Sequence, residues 1–437
     1  MILRRSLLSL LPFLSLLAMS PLAQGDSAAP LTWQDCVRIA IERNPQFLSA
    51  MRAQEASQAQ YRGSYNGIFP HLSLSNTYTD SSNTSVGVLA DGTTGTITST
   101  SKNWTAQGTA SLDLIDLSQW AAIQSAEASF HQSQANEQVA SSNVLLNLYK
   151  NFSTLLYSQE AIDVDRNIRN LWDQNAQMIS LRYDSGAESK GNAMQTQAQF
   201  LQSDVALNQS YRDLQVAQQQ LAQSLGQDDF STLVVTGTWT TTPAPKTPPD
   251  FGPILAQLPV VVAQQAVVDQ AKAAIHAAHS SLYPTLSLNY SKGLEGDSEF
   301  PTHNPFWTFT GLLSYPLFAG GPTATYYASA AADKNYKKAL EDLRSIREQA
   351  LGTLESAWSG FVQAEDQVRV QRAFLDADVQ RKQEADIMYQ SGLMTFQDWQ
   401  VITNDYVNFQ KSYLSAEQSL IAAEGQWRFA TGQQLGA

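Results

Sequence analysis

Phe69-Pro70-His71-Leu72-Ser73-Leu74 and Tyr283-Pro284-Thr285-Leu286-Ser287-Leu288 are one pattern written twice: an aromatic residue, a proline, then alternating leucines, the second copy 214 positions after the first. Upstream, Pro45 and Pro259 keep the same separation. Two prolines therefore bracket a helical segment of one length in each half, the first containing Ala50 to Tyr61 and the second Gln264 to His276. Agreement at both ends marks an internal duplication. A third anchor, Arg182-Tyr183-Asp184-Ser185-Gly186 against Met388-Tyr389-Gln390-Ser391-Gly392, is displaced by only 206 positions, so the first half carries a longer insertion upstream. The insertion is the Ser/Thr/Gly-rich stretch from Asp80 to Ser101, longer than its counterpart from Lys292 to Asn304, and its composition predicts an exposed loop.

Each half then predicts one order: short helix, strand, loop, strand, very long helix, turn, long helix. The first repeat spans 26–230 and the second 254–437. Between them, 231–253 is rich in Thr and Pro, including Pro243, Pro245, Pro248 and Pro249, and reads as a connector on the outside of the fold. Four strands emerge. From Trp104 to Leu114, Trp104, Ala106, Gly108, Ala110, Leu112 and Leu114 share one face, while Thr105, Gln107, Thr109, Ser111 and Asp113 share the other. The matching strand sets Trp307, Phe309, Gly311, Leu313, Tyr315 and Leu317 against Thr308, Thr310 and Ser314. Strands of about ten residues with aromatics near their ends suit a lipid boundary, with Trp104, Leu112, Trp307, Phe309, Gly311 and Leu313 facing lipid. Alternation of this length also fits a soluble sandwich. In lipid, four strands alone would leave unpaired edges, so copies must assemble: two would give eight strands and three twelve.

Between Gly108 and Gly186 there is neither Gly nor Pro, and a helix from near Trp120 to Tyr183 would measure roughly 95 Å. The second long helix repeats a seam at Ala350, Leu354, Ala357, Phe361, Ala364 and Val368, a coiled-coil period. Partner helices follow Gly186 and Gly392 and run to near Leu225 and Glu424, so each pair is a helical hairpin with its tip at the glycine. On the helices alone, a plain coiled-coil stalk is the simpler reading; the duplication and the strands argue against it.

Arg4 and Arg5 precede an apolar run from Leu7 to Ala18, with small residues near Ala23 and Gly25, the pattern of a secretory signal peptide over residues 1–25. Losing those arginines takes the formal charge from −13 to −15, and no Lys/Arg cluster offsets that field, which argues against a nucleic-acid partner. No apolar stretch of membrane-helix length follows, so a mature chain that spans a membrane must do so as strands. The one cysteine, Cys36, falls in a helical pattern and reads as a small buried residue. The five histidines do not converge. His276 and His279, three apart with no nearby Cys, Asp or Glu, make a poor metal site, and Gly320-Gly321 lacks the lysine of a phosphate loop. Neither a catalytic constellation nor a cofactor site is expected.

Taken in order, Leu31-Thr32 leading a helix to Asn44-Pro45, the two aromatic-Pro-x-Leu-Ser-Leu strand starts, Pro316-Leu317-Phe318-Ala319-Gly320-Gly321 and the two Tyr-x-x-Gly tips resemble the TolC-like outer-membrane efflux family over nearly the whole mature chain. The resemblance implies an α+β membrane protein: a homotrimer with a twelve-stranded β-barrel in the outer membrane and a twelve-helix periplasmic α-helical barrel. It implies a periplasmic adaptor and an inner-membrane pump as partners, in efflux or type I secretion, with the adaptor contacting the tips around Ser185, Gly186, Gly392 and Leu393. Leu117-Ser118-Gln119-Trp120 stands where the family carries a Phe/Gly-rich turn. Family pattern also puts the periplasmic gate at Asp398, six positions after Gly392, and at Tyr389, three before it; a second acidic position is Val401 here. The competing classes are a diffusion porin, which needs no such helices, and a trimeric adhesin-like stalk, which needs no alternating strands.

Overall fold

The computed structural model describes residues 30–88, 92–227, 233–237, 242–280, 282–315, 317 and 322–433. The signal-peptide expectation and most of the Pro316 to Gly321 motif lie outside them. The first elements follow from their caps. Thr32 starts α1 (Trp33–Arg43) in a reciprocal capping box with Asp35. Asn44 ends α1 and starts α2 (Pro45–Ser64), its side chain accepting from the N–H groups of Gln46 and Phe47, while Pro45 occupies the first helical position, where no N–H is needed.

A 3-10 turn (Tyr65–Ile68) leads into β1 (His71–Val88), β2 (Thr94–Ile115) and then α3 (Leu117–Asp184). After α3 come α4 (Lys190–Leu225), α5 (Phe251–Gln257), α6 (Pro259–Ser280), β3 (Thr285–Gly296), β4 (Pro305–Ser314), α7 (Pro322–Gln390) and α8 (Phe396–Ala430). The strands form one antiparallel sheet in the order β1-β2-β3-β4. At the Leu117 corner, Asp116 caps α3 by accepting from the N–H and hydroxyl of Ser118, so an Asp cap turns the chain there.

The alternation read along single strands continues across the sheet. Leu72, Ala110, Tyr290 and Phe309 form one cross-strand row, and Leu74, Gly108, Lys292 and Trp307 the next; Ser73, Thr109, Ser291 and Thr308 form a row on the other face. Lys292, and Asn76 in the row with Ala106, Leu294 and Pro305, interrupt the otherwise apolar face.

Two expectations are corrected. The stretch from Asp80 to Ser101 is not a loop: Asp80 pairs with Lys102 and the ladder continues to Val88 opposite Thr94, so β1 and β2 rise as a two-stranded ribbon. Polarity suggested a loop, but Thr and Val have high strand propensity, and the Thr84 and Thr98 hydroxyls meet across the ladder at 3.2 Å. Because β2 pairs with β3 only as far as Trp104 opposite Gly296, the ribbon extends about 30 Å past the second hairpin. The second correction is at β4, which ends at Ser314; Tyr315 and Leu317 lie beyond the strand, beside a proline that cannot donate to a ladder.

At 68 and 69 residues, α3 and α7 are each about 100 Å long. One core gathers Cys36, Leu148, Phe152, Leu155, Leu221, Leu225 and Val235, and a second gathers Val261, Leu343, Leu354, Phe361 and Trp427. Of the expected α7 seam, Ala350, Leu354, Ala357 and Phe361 are buried, while Ala364 and Val368 are partly buried and pack against the same core. Cys36 is wholly buried, and burial pushes its thiol up to about 12. Asp165 of α3 binds Lys411 of α8 at 2.7 Å and accepts from Ser210 of α4 at 2.5 Å, which ties the two hairpins together in the tip-ward half of α3. A side chain at Gly425 of α8 would strike the Tyr149 ring of α3 at 2.5 Å, so glycine sets how closely these helices approach.

Candidate functional site

The two hairpin tips share a backbone solution. Gly186 and Gly392 have φ of +76° and +73°, and each follows a long helix whose last carbonyls accept from the turn: Ala187 N–H to Arg182 O, and Leu393 N–H to Met388 O, both at 2.8 Å. The next helices start on side-chain caps, Ser189 accepting from Asn192 N–H and Thr395 from Asp398 N–H. Each tip is thus a turn of several residues rather than a break at the glycine alone. Ser185, Gly186, Gly392 and Leu393 are exposed, Leu393 at 75%.

The expected gate residues differ in kind. Asp398 is exposed on the first turn of α8, where its Oδ2 accepts from the Thr395 hydroxyl at 2.7 Å; it is a capping residue. Tyr389 is 3% exposed and joins the two tips. Its hydroxyl donates to Glu188 Oε2, in the turn between α3 and α4, at 2.6 Å. The guanidinium carbon of Arg182 lies 4.7 Å from its ring centre, and Arg182 Nη1 donates to its carbonyl at 3.4 Å. Burial, then the bond to Glu188, raises the Tyr389 hydroxyl above its ordinary value. Partial burial opposes ionisation of Glu188, but bonds from Tyr389, the Ser189 N–H and Asn192, with the charge of Arg182, outweigh it and hold the carboxyl below its usual range. Beneath this link, Ile179, Ala385, Phe396, Trp399 and Ile402 form a buried cluster with Tyr389.

At the other end of the molecule, the apolar sheet face leaves Trp307, Phe309 and Leu313 at least 60% exposed, Gly311 exposed, and Trp104 and Leu112 half-buried. Among the described residues no single helix is long and apolar enough to cross a membrane, and no group of three or more His, Cys, Asp or Glu could hold a metal ion. His279 Nε2 lies 2.6 Å from the Ser329 hydroxyl.

The model of the family described as outer membrane efflux protein matches residues 36–227 and 253–433. The chain belongs to the outer membrane efflux protein family. This family is one of outer-membrane channels rather than of enzymes. Among solved structures, a membrane protein from Pseudomonas aeruginosa is similar with TM-score 0.81 and 16% identity, covering 92% of this chain and 93% of that one. The Campylobacter jejuni CmeC outer membrane channel gives 0.81 and 16%, covering 92% and 85%, and the outer membrane protein VceC of Vibrio cholerae gives 0.80 and 17%, covering 92% and 96%. Comparison with curated protein sequences gives no match.

For this outer membrane efflux protein, sequence reasoning named Tyr389 but missed Glu188, Arg182 and Trp399 as its partners. Glu188 could have been suspected as a carboxylate within the tip turn. Its partner sits 201 positions away, and no local pattern encodes that pairing.

Proposed function

We propose that this outer membrane efflux protein assembles as a homotrimer whose three sheets close a twelve-stranded barrel and whose three sets of α3, α4, α7 and α8 form a twelve-helix periplasmic tunnel. The carrying observation is a four-stranded sheet with a largely apolar face and, among the described residues, with β1 and β4 as its unpaired edges, continuing into helices about 100 Å long. Open edges are not tolerated in lipid, and closure with further copies satisfies them. Such a duct conducts small molecules or proteins outward as the exit part of a tripartite efflux or type I secretion system. Its tips at Ser185, Gly186, Gly392 and Leu393 contact a periplasmic adaptor, which links it to an inner-membrane pump.

We assign the gate to the same tips. The Tyr389 bond to Glu188 supports a closed state in which one hairpin holds the other. Asp398, exposed beside it, supplies negative charge at the entrance, and Val401, 49% exposed at the second acidic position of the family pattern, supplies none. The test is fractionation followed by crosslinking. The mature protein is expected in the outer membrane as a heat-sensitive oligomer, with crosslinkers at Ser185 or Leu393 capturing an adaptor. An oligomer that crosslinks only near the sheet, in cells whose drug sensitivity and secretion do not change on its deletion, favours the stalk reading.

A further inference from the structure

We propose that Trp399, anchored by Asp386 and Lys382, is a positioning residue that presets Tyr389 for its bond to Glu188. The inference rests on the reading of Tyr389 as a gate residue. Lys382, Asp386 and Tyr389 lie at i, i+4 and i+7 along α7 and so share one face. Trp399 comes from the first turns of α8, whose start is fixed by the Thr395 cap. It is 0% exposed, and its indole stacks on the Tyr389 ring with centres 4.8 Å apart and planes 15° from parallel.

A buried indole needs an acceptor, and here Nε1 donates to Asp386 Oδ1 at 2.7 Å. The same oxygen accepts from Lys382 Nζ at 2.5 Å, and that ammonium lies 5.5 Å from the Trp399 ring centre. The Lys382 side chain is only 7% exposed, an uncommon burial for lysine that its carboxylate partner and the indole face explain. One carboxylate oxygen therefore fixes both the in-plane position of the indole and the ammonium beside it. The indole in turn fixes the plane of the tyrosine ring.

Which hairpin owns each residue decides what the cluster does. Lys382, Asp386, Tyr389 and Trp399 all belong to the α7 and α8 hairpin, whereas Glu188 and Arg182 belong to the α3 and α4 hairpin. Parting of the hairpins breaks the bond from Tyr389 to Glu188 and leaves the chain from Lys382 through Asp386 and Trp399 to Tyr389 intact. The hydroxyl then stays aimed in the open state, and closing does not have to freeze its ring again.

The test is single-channel recording of the full protein in planar bilayers with Tyr389→Phe, Trp399→Phe and the double variant. Trp399→Phe keeps a buried aromatic ring and removes the anchored N–H. Its open-to-closed ratio is expected to rise roughly threefold, within the range of one aromatic contact. The double variant is expected to open no more than Tyr389→Phe alone, because positioning has value only while the hydroxyl exists; a purely structural role gives multiplied effects instead. If Trp399→Phe does not assemble, Lys382→Met tests the other end of the chain with the same expected direction and the same non-additivity. A silent Trp399→Phe or Lys382→Met, or multiplied effects, beside an opened Tyr389→Phe overturns this inference alone. A Tyr389→Phe channel that opens no more than the wild type overturns the gate reading and this inference with it.

Discussion

Tyr389→Phe deletes one oxygen at the point where the two hairpin tips meet. The lost bond runs from a phenol to an ionised carboxylate at 2.6 Å, a class that contributes about 1.5 to 3 kcal/mol. Glu188 is only partly buried and keeps donors from the Ser189 N–H at 2.9 Å and Asn192 at 2.7 Å, so it is not left bare. The lower end of the range therefore applies, about 1.5 kcal/mol or tenfold per chain in favour of the open tip. If three chains open together the factors multiply.

The pH dependence of this link follows from the two shifts. Glu188 is lowered from 4.5 in the closed tip, so its contribution is fully present above that value and is lost as pH falls through the lowered one. Tyr389 is raised from 10.0, so its contribution is fully present below that value and is lost only as pH rises through the raised one. Acid opens the tip, while the range between the two ordinary values leaves this link unchanged. Single-channel recording reads both effects. A Tyr389→Phe channel with the wild-type open fraction, or one whose acid opening keeps its full amplitude, refutes the reasoning.

A side chain at Gly311 would meet only the Leu288 Cδ2 at 3.5 Å, an ordinary contact, so Gly311→Arg tests charge rather than space: at about 2 to 4 kcal/mol per chain near a bilayer midplane it should deplete the outer-membrane oligomer, while Gly311→Leu assembles. An epitope inserted beside Gly92, at the end of the β1 and β2 ribbon, should be labelled on intact cells and leave assembly unchanged; labelling only after permeabilisation reverses the orientation. Asp398→Asn should reduce cation selectivity and divalent-cation block in bilayers, with at most about 1 kcal/mol of α8 cap stability lost, and unchanged selectivity removes Asp398 from the gate.

Periodicity and punctuation made most of the fold legible. Pro45 and Pro259 marked helix starts because proline is suited to the first helical position, and the glycines at 186 and 392 marked tips because each takes a positive φ. The Leu354 to Phe361 seam and the face carrying Trp307 and Phe309 were readable because the period of 3.6 or 2 is itself the packing signal. The ribbon was misread because exposed strands and loops share a polar composition; what distinguishes them is the partner strand, and that is a tertiary fact. The tip network was illegible for the same reason, since Arg182, Glu188 and Tyr389 meet across some 200 positions.

The sequence pattern that aligns the two tips also explains why one can hold the other. With Gly186 matched to Gly392, Tyr183 matches Tyr389, Glu188 matches Met394, and Ala193 matches Trp399. Two copies of the first tip would keep the carboxylate of Glu188 but set alanine where Trp399 stands, and two copies of the second would keep the indole but set methionine where Glu188 stands. Divergence made the pair complementary. The first tip supplies the carboxylate, the guanidinium and the small Ala193, which packs against the cluster; the second supplies Tyr389, Phe396 and Trp399. Tyr183 accordingly is 40% exposed where Tyr389 is 3%. A bond that joins unlike copies can break while both hairpins keep their own Schellman turns and caps, because those use only backbone and side chains within each tip. On the proposed gate reading, the closed state would be held by contacts separable from those that fold each hairpin, as a reversible gate at the end of two helices about 100 Å long requires.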